Sequence, residues 1–146
     1  MPGKINLRDL EPMRPGLFEF DTEGRPIALV GGRCPSCGQI TFPKRAACGK
    51  CPLDAGPDRH VLSTKGEIYS ATVVHVPSGL GHAAPYAYGY VDLPADDARI
   101  FAPLFGLEGQ AWRPGQKVKL VFAKIDAKAL PDLLGYGFAP EEEVAQ

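Results

Sequence analysis

The chain has one Trp, two Met and a formal net charge of only −1. So little net charge excludes a protein that coats nucleic acid or an anionic membrane by bulk electrostatics. Dividing the charge does not change this, because residues 61–146 hold 7 Lys+Arg against 10 Asp+Glu. No apolar run approaches the roughly 18 residues of a membrane span. Met1-Pro2-Gly3-Lys4-Ile5-Asn6 leads into mixed polar sequence with no apolar stretch, so no signal peptide and a cytoplasmic location are expected. GxSxG, Ser-x-x-Lys, P-loop and GxGxxG motifs are all missing. Cysteine is missing everywhere outside positions 34–51.

What is abundant is Gly, at 17, and Pro, at 15, in 146 residues. Long helices do not absorb that many breakers, which favours short strands and turns. Residues 1–25 read as an irregular arm for docking, with one helical turn expected within Leu7–Met13 and a short strand at Phe18–Phe20. Residues 26–58 begin with a strand, Ile27–Val30, that should end at Gly31-Gly32 just before the first cysteine. From residue 59 to 140 the texture becomes β-rich. Its runs are Gly66–Val76, Tyr86–Leu93, Arg99–Leu107, Lys117–Ile125 and Leu133–Phe138, separated by turn formers. Ala127–Leu130 is expected to form a helical turn, and residues 141–146 an acidic tail. Five strands suit a small closed barrel of the OB type better than a sandwich, which needs about seven. The fold expected is mainly β, an N-terminal rubredoxin-like zinc ribbon followed by a five-stranded OB-fold barrel.

The ribbon rests on the cysteines. Cys34-Pro35-Ser36-Cys37-Gly38 and Cys48-Gly49-Lys50-Cys51-Pro52 are two CxxC units ten residues apart. Each unit makes a tight knuckle that brings two thiolates to one ion, with Gly38 and Gly49 supplying backbone freedom. Cys34, Cys37, Cys48 and Cys51 form a closed tetrahedral set suited to one structural Zn2+, with no open position for an activated water. Such a metal contributes folding energy to a segment poor in apolar mass. Local disulfides would require secretion, and a thioredoxin-like redox pair would require a helix start in a βαβ setting. Iron shares this ligand chemistry, and optical absorption distinguishes it from zinc.

With four thiols committed, none is left as a nucleophile. His75 lies inside the first β run and reads as a strand residue. His82 sits in the Gly-rich loop at 79–82, a segment suited to ordering on assembly, and is the one histidine to flag. Asp92, Asp96 and Asp97 read as a solvated turn. Tyr86, Tyr88 and Tyr90 recur at period two and share one strand face, opposite the small Ala87, Gly89 and Val91. That stripe either fills the barrel, lines a protein interface, or stacks bases as a single-stranded nucleic-acid platform. The net negative charge of this half speaks against nucleic acid, because phosphate contacts dominate such affinity. Lys117, Lys119, Lys124 and Lys128 form the basic cluster, read as a solvent face. Phe101, Phe105, Val118, Leu120 and Phe122 read as core alternation. No complete active site is expected in this chain.

The order of parts resembles a known family. A four-cysteine ribbon with Phe42-Pro43 between its knuckles precedes an OB-fold that opens at Gly66-Glu67-Ile68-Tyr69. A second strand then starts at Pro85-Tyr86, and Pro114-Gly115 precedes a Val-bearing strand. This is similar to the zinc-ribbon/OB-fold family of acyl-CoA-associated proteins, long described as a domain of unknown function, over roughly residues 25–140. The N-terminus departs from the pattern, being short and Pro-rich where many relatives carry a helical segment. The resemblance implies a non-catalytic accessory subunit of a thiolase-type acyl-CoA C-acyltransferase, in degradation of aromatic or other acyl-CoA compounds. A thiolase-fold partner in a hetero-oligomer would carry the catalytic Cys, with acyl-CoA or CoA as the ligand of the complex. His82, Tyr86, Tyr88 and Tyr90 are then the candidates for ligand or partner contact.

Overall fold

The computed structural model describes residues 7–45, 57–77, 79, 85–106, 112–125 and 129–141. In chain order these form a 3-10 turn (Leu7–Asp9), β1 (Glu11–Pro12), β2 (Phe18–Phe20), β3 (Pro26–Arg33), β4 (Ile40–Thr41), β5 (Asp58–Val61) and β6 (Lys65–Val74). Then follow β7 (Tyr86–Leu93), a second 3-10 turn (Pro94–Asp96), β8 (Ala98–Leu104), β9 (Lys117–Lys124) and β10 (Leu133–Pro140). No α-helix occurs among the described residues.

The last five strands close a barrel in the order β6-β7-β8-β10-β9, with β9 returning to β6 through Gly66↔Val118. All neighbours are antiparallel except β8 and β10, which run parallel and meet at Leu104↔Phe138. That order and that single parallel contact make it an OB-fold, as expected. The first strand begins at Lys65 and stops at Val74, one residue before His75. It carries a register shift between Ile68 and Ser70 that helps it curl across the barrel. Small residues on the inner face of β7 allow this curvature. A Cβ built on Gly89 would lie 2.0 Å from the Ser70 carbonyl oxygen, so no larger residue fits.

The smaller sheet is built on β3, which pairs with β2, β4 and β5. Contrary to expectation, β3 does not end at Gly31-Gly32 but continues through both to Arg33. The two glycines are needed for approach rather than for a turn. A Cβ on Gly31 would sit 2.4 Å from Thr41 O, and one on Gly32 2.9 Å from Pro57.

The two sheets share one apolar core. Leu17, Phe18, Leu29 and Leu62 of the N-terminal part join Ile68, Val91, Ile100, Leu104, Trp112, Val118, Leu134 and Phe138 of the barrel. Each fully buried aliphatic or aromatic side chain in such a cluster contributes about 1.5–3 kcal/mol of transfer free energy. Phe18 bridges the halves, its ring 5.9 Å from Phe122 in an edge-on contact. The N-terminal arm lies on the barrel as well. β1 pairs parallel with β10 through Glu11↔Leu133 and Pro12↔Leu134, and Leu7 and Leu10 pack on the core.

One core assignment from sequence is corrected. Phe101 and Phe105 are exposed at 48% and 41%, while Ile100, Ala102 and Leu104 face inward. Both faces of β8 are apolar, so alternation alone does not choose between them. The pairing does: Val91↔Ile100, Gly89↔Ala102 and Ala87↔Leu104 set Ile100, Ala102 and Leu104 opposite the inward-facing residues of β7. Val118 is buried as expected, and Leu120 and Phe122 pack against the core at its margin.

Candidate functional site

Three features bear on function: a cysteine knuckle, a clasp between the ribbon and the barrel, and an aromatic outer face. At the knuckle, the chain turns after β3. Cys34 donates its N–H to the Gln39 carbonyl at 2.9 Å, and Gly38 donates to the Cys34 carbonyl at 2.9 Å. Gly38 takes φ +76°, a left-handed value that favours glycine. Cys34 is 3% exposed and Cys37 lies at the surface of the same turn. Two cysteines three positions apart on one tight turn match, in donor type and spacing, the first half of a tetrahedral thiolate site. Cys48 and Cys51 lie outside the described residues, as does His82.

The clasp was not visible in the sequence. His60 on β5 donates from Nε2 to Asp96 Oδ1 at 2.8 Å, and Ser63 N–H donates to Asp96 Oδ2 at 2.7 Å. The Asp96 side chain is only 8% exposed. Asp96 is therefore not part of a solvated turn. The 3-10 turn at Pro94–Asp96 delivers it into the junction, where it satisfies a backbone donor and a ring donor of the segment entering the barrel. The Ser63 hydroxyl is turned to the Lys65 backbone rather than to His60, so the pair does not form a nucleophile–base arrangement. Asp92 is likewise engaged, bonded by Arg99 Nε at 2.6 Å. That hydrogen bond is the chief cause of the raised pKa of Arg99. The Arg99 guanidinium also lies 3.3 Å over the Tyr69 ring.

The tyrosine stripe does not fill the barrel. Tyr86, Tyr88 and Tyr90 point outward, and Phe101 stands among them. Its ring centroid is 5.1 Å from that of Tyr88 and 5.7 Å from that of Tyr90. Tyr86 stacks loosely on Tyr88 at 6.4 Å. With Tyr69, Tyr90 and Phe101 each about half exposed, this face is apolar and open. The lysines frame other surfaces: Lys117 pairs with Glu67 and Lys124 with Asp132, while Lys128 lies outside the described residues.

Tyr136 is a further residue that the sequence did not single out. Its hydroxyl donates to the Phe101 carbonyl at 2.9 Å, and Phe42 of the ribbon meets its ring edge-on at 5.6 Å. Burial pushes its pKa up to about 12. Among the described residues no helix is long and apolar enough to cross a membrane.

Comparison with known proteins agrees with this architecture. Residues 22–57 match the rubredoxin-like zinc ribbon domain of ChsH2, and residues 60–123 match the C-terminal OB-fold domain of ChsH2. A benzoylsuccinyl-CoA thiolase subunit, BbsA of Thauera aromatica, is 35% identical over 89% of this chain and 88% of its own length. A DUF35 domain-containing scaffold protein of Methanocaldococcus jannaschii is 32% identical over 75% of this chain and 78% of its own. Among solved structures, the Ltp2-ChsH2(DUF35) aldolase superposes with a TM-score of 0.63 at 26% identity. It covers 77% of this chain and 84% of the matched one.

Proposed function

This chain belongs to the ChsH2-type (DUF35) family, a rubredoxin-like zinc ribbon joined to an OB-fold, and on that premise we propose that it is the non-catalytic subunit of a thiolase-type acyl-CoA C-acyltransferase. The observation that carries this reading is the likeness to a thiolase subunit along nearly the whole of both chains. In the complex, a thiolase-fold partner supplies the catalytic cysteine and the acyl-CoA chemistry. This chain supplies a rigid docking module.

The aromatic face of β7 and β8 supports the docking role. Tyr86, Tyr88, Tyr90 and Phe101 present large, stiff side chains that lose little entropy when covered, which is what the centre of an interface needs. Cys34, Cys37, Cys48 and Cys51 would hold one Zn2+, whose chemistry is to neutralise and cross-link four thiolates at the ribbon tip. His82, four residues before Tyr86 in the sequence, is proposed as a further contact residue.

Co-expression with a thiolase-like protein encoded by a genomic neighbour tests the reading. We expect co-elution on size exclusion, and CoA-thioester cleavage by the complex but not by this chain alone. Failure to co-elute, with oligonucleotide binding that falls steeply with salt, would favour a single-stranded nucleic-acid module instead.

A further inference from the structure

β8 is paired with β7 along its whole length, but on its other side it meets β10 only at Leu104. Pro103 fixes which backbone groups face which way. Proline has no N–H to give to a ladder, so it sits where the backbone groups point away from the paired strand. Pairs alternate along an antiparallel ladder, so Arg99, Phe101 and Pro103 all turn their N–H and C=O groups away from β7. Two bonds on the far side agree with this. The Phe101 carbonyl accepts from the Tyr136 hydroxyl, and Phe105 N–H donates to the Phe138 carbonyl at 2.8 Å. Towards the start of the strand nothing takes their place. The N–H and C=O of Arg99 have no backbone partner on that side among the described residues.

That end of β8 opens on a cleft of about 510 Å3 between barrel and ribbon. Ala98 and Arg99 line one wall, and Gln39, Ile40, Thr41 and Phe42 line the other. The second wall is also a strand edge. β4 pairs with β3 on one side and, among the described residues, with no strand on the other. Two strand edges around one polar cleft match the chemistry of an extended polypeptide, which satisfies edges by strand addition.

We propose that this cleft receives an extended, proline-free segment of the catalytic partner, three to four residues long, which adds to β8 at Arg99; the assignment rests on the docking role proposed above. The first and last described residues lie elsewhere. Glu141 donates its N–H to Lys117 O at 3.0 Å and pairs with Lys65 at 2.9 Å, on the β6–β9 side of the barrel. The N-terminal 3-10 turn packs against β9. The cleft is also continuous with the aromatic face, because Arg99 and Phe101 belong to the same strand. Backbone addition fixes the conformation of the segment, while the aromatic face and the exposed Arg45 at the cleft rim contribute selectivity.

Residue-resolved hydrogen exchange of the isolated chain and of the co-expressed complex tests this. We expect the Arg99 amide to exchange freely alone and about 100-fold more slowly in the complex. A second measurement places the photocrosslinker p-benzoylphenylalanine at position 45 in the complex, where a single short stretch of the partner should be captured. Failure of the complex to form overturns both this inference and the docking role. A complex in which the Arg99 amide stays fast, or in which position 45 captures residues 1–6 or 142–146 of this chain, overturns this inference alone.

Discussion

Asp96→Ala removes two hydrogen bonds from a side chain that is only 8% exposed, and leaves the Ser63 N–H and the His60 ring without their acceptor. Hydrogen bonds to a charged acceptor contribute about 1.5–3 kcal/mol each. The two share one carboxylate and do not add in full, so a loss of about 2–4 kcal/mol is expected. For a chain of 146 residues this lowers the melting temperature by about 6–12 °C. Asp96→Asn keeps an oxygen for Ser63 N–H and the shape of the junction, and should lose less than half as much. Trp112, the single tryptophan, is buried in the shared core and reports unfolding by fluorescence during a urea titration. If Asp96→Ala unfolds within about 0.5 kcal/mol of the parent protein, the clasp does not hold ribbon to barrel and the reasoning from burial fails.

Three further outcomes are expected. Tyr136 has a folded pKa raised to about 12 against an ordinary value of 10.0, so the folded state favours the protonated phenol. Its contribution is complete below pH 10 and is lost as the pH rises towards 12. About 2–3 kcal/mol should disappear over that window, and Tyr136→Phe should flatten this alkaline limb of the stability profile. Cys34→Ser should reduce bound zinc, measured by elemental analysis, from one per chain to a small fraction of that, and should lower the urea midpoint; full metal retention would contradict the four-thiolate site. Phe101→Ser should weaken partner binding by about 10- to 100-fold in a calorimetric titration, while shifting the melting temperature of the isolated chain by less than about 4 °C, since the ring is 48% exposed.

The barrel was legible because its strands are bounded by strong turn chemistry. Pro114-Gly115 precedes β9, and Gly115 takes φ +85°. The sequence pattern carries the first strand to Val76, two residues past its end at Val74, and ends β10 at Phe138 where the pairing runs on to Pro140. The orientation of β8 was not legible, because Ile100-Phe101-Ala102-Pro103-Leu104-Phe105 is apolar in both phases and only the partner strand decides. Gly31-Gly32 read as a stop signal, since glycine commonly breaks strands; here the neighbouring Thr41 carbonyl and Pro57 demand its small size. The His60–Asp96 clasp joins residues 36 apart and leaves no local pattern. Its one available hint was a histidine just before the barrel and an acidic residue after Pro94, in a turn that tertiary contact turned inward. The knuckle, by contrast, is a local object, and spacing alone anticipated the turn at Cys34–Gly38.

The single core that runs from Leu29 to Phe138 carries a thermodynamic obligation. Leu29 of the ribbon sheet and Leu62, next after β5, belong to that core, so unfolding the sheet exposes apolar surface of the barrel, and any ion that binds only the folded ribbon is linked to barrel integrity. Linkage works in both directions. A subunit that covers the outside of the barrel and suppresses its opening must also raise the equilibrium affinity of the ribbon for an ion. A metal lost to chelation must in turn weaken the grip on that subunit by the same factor.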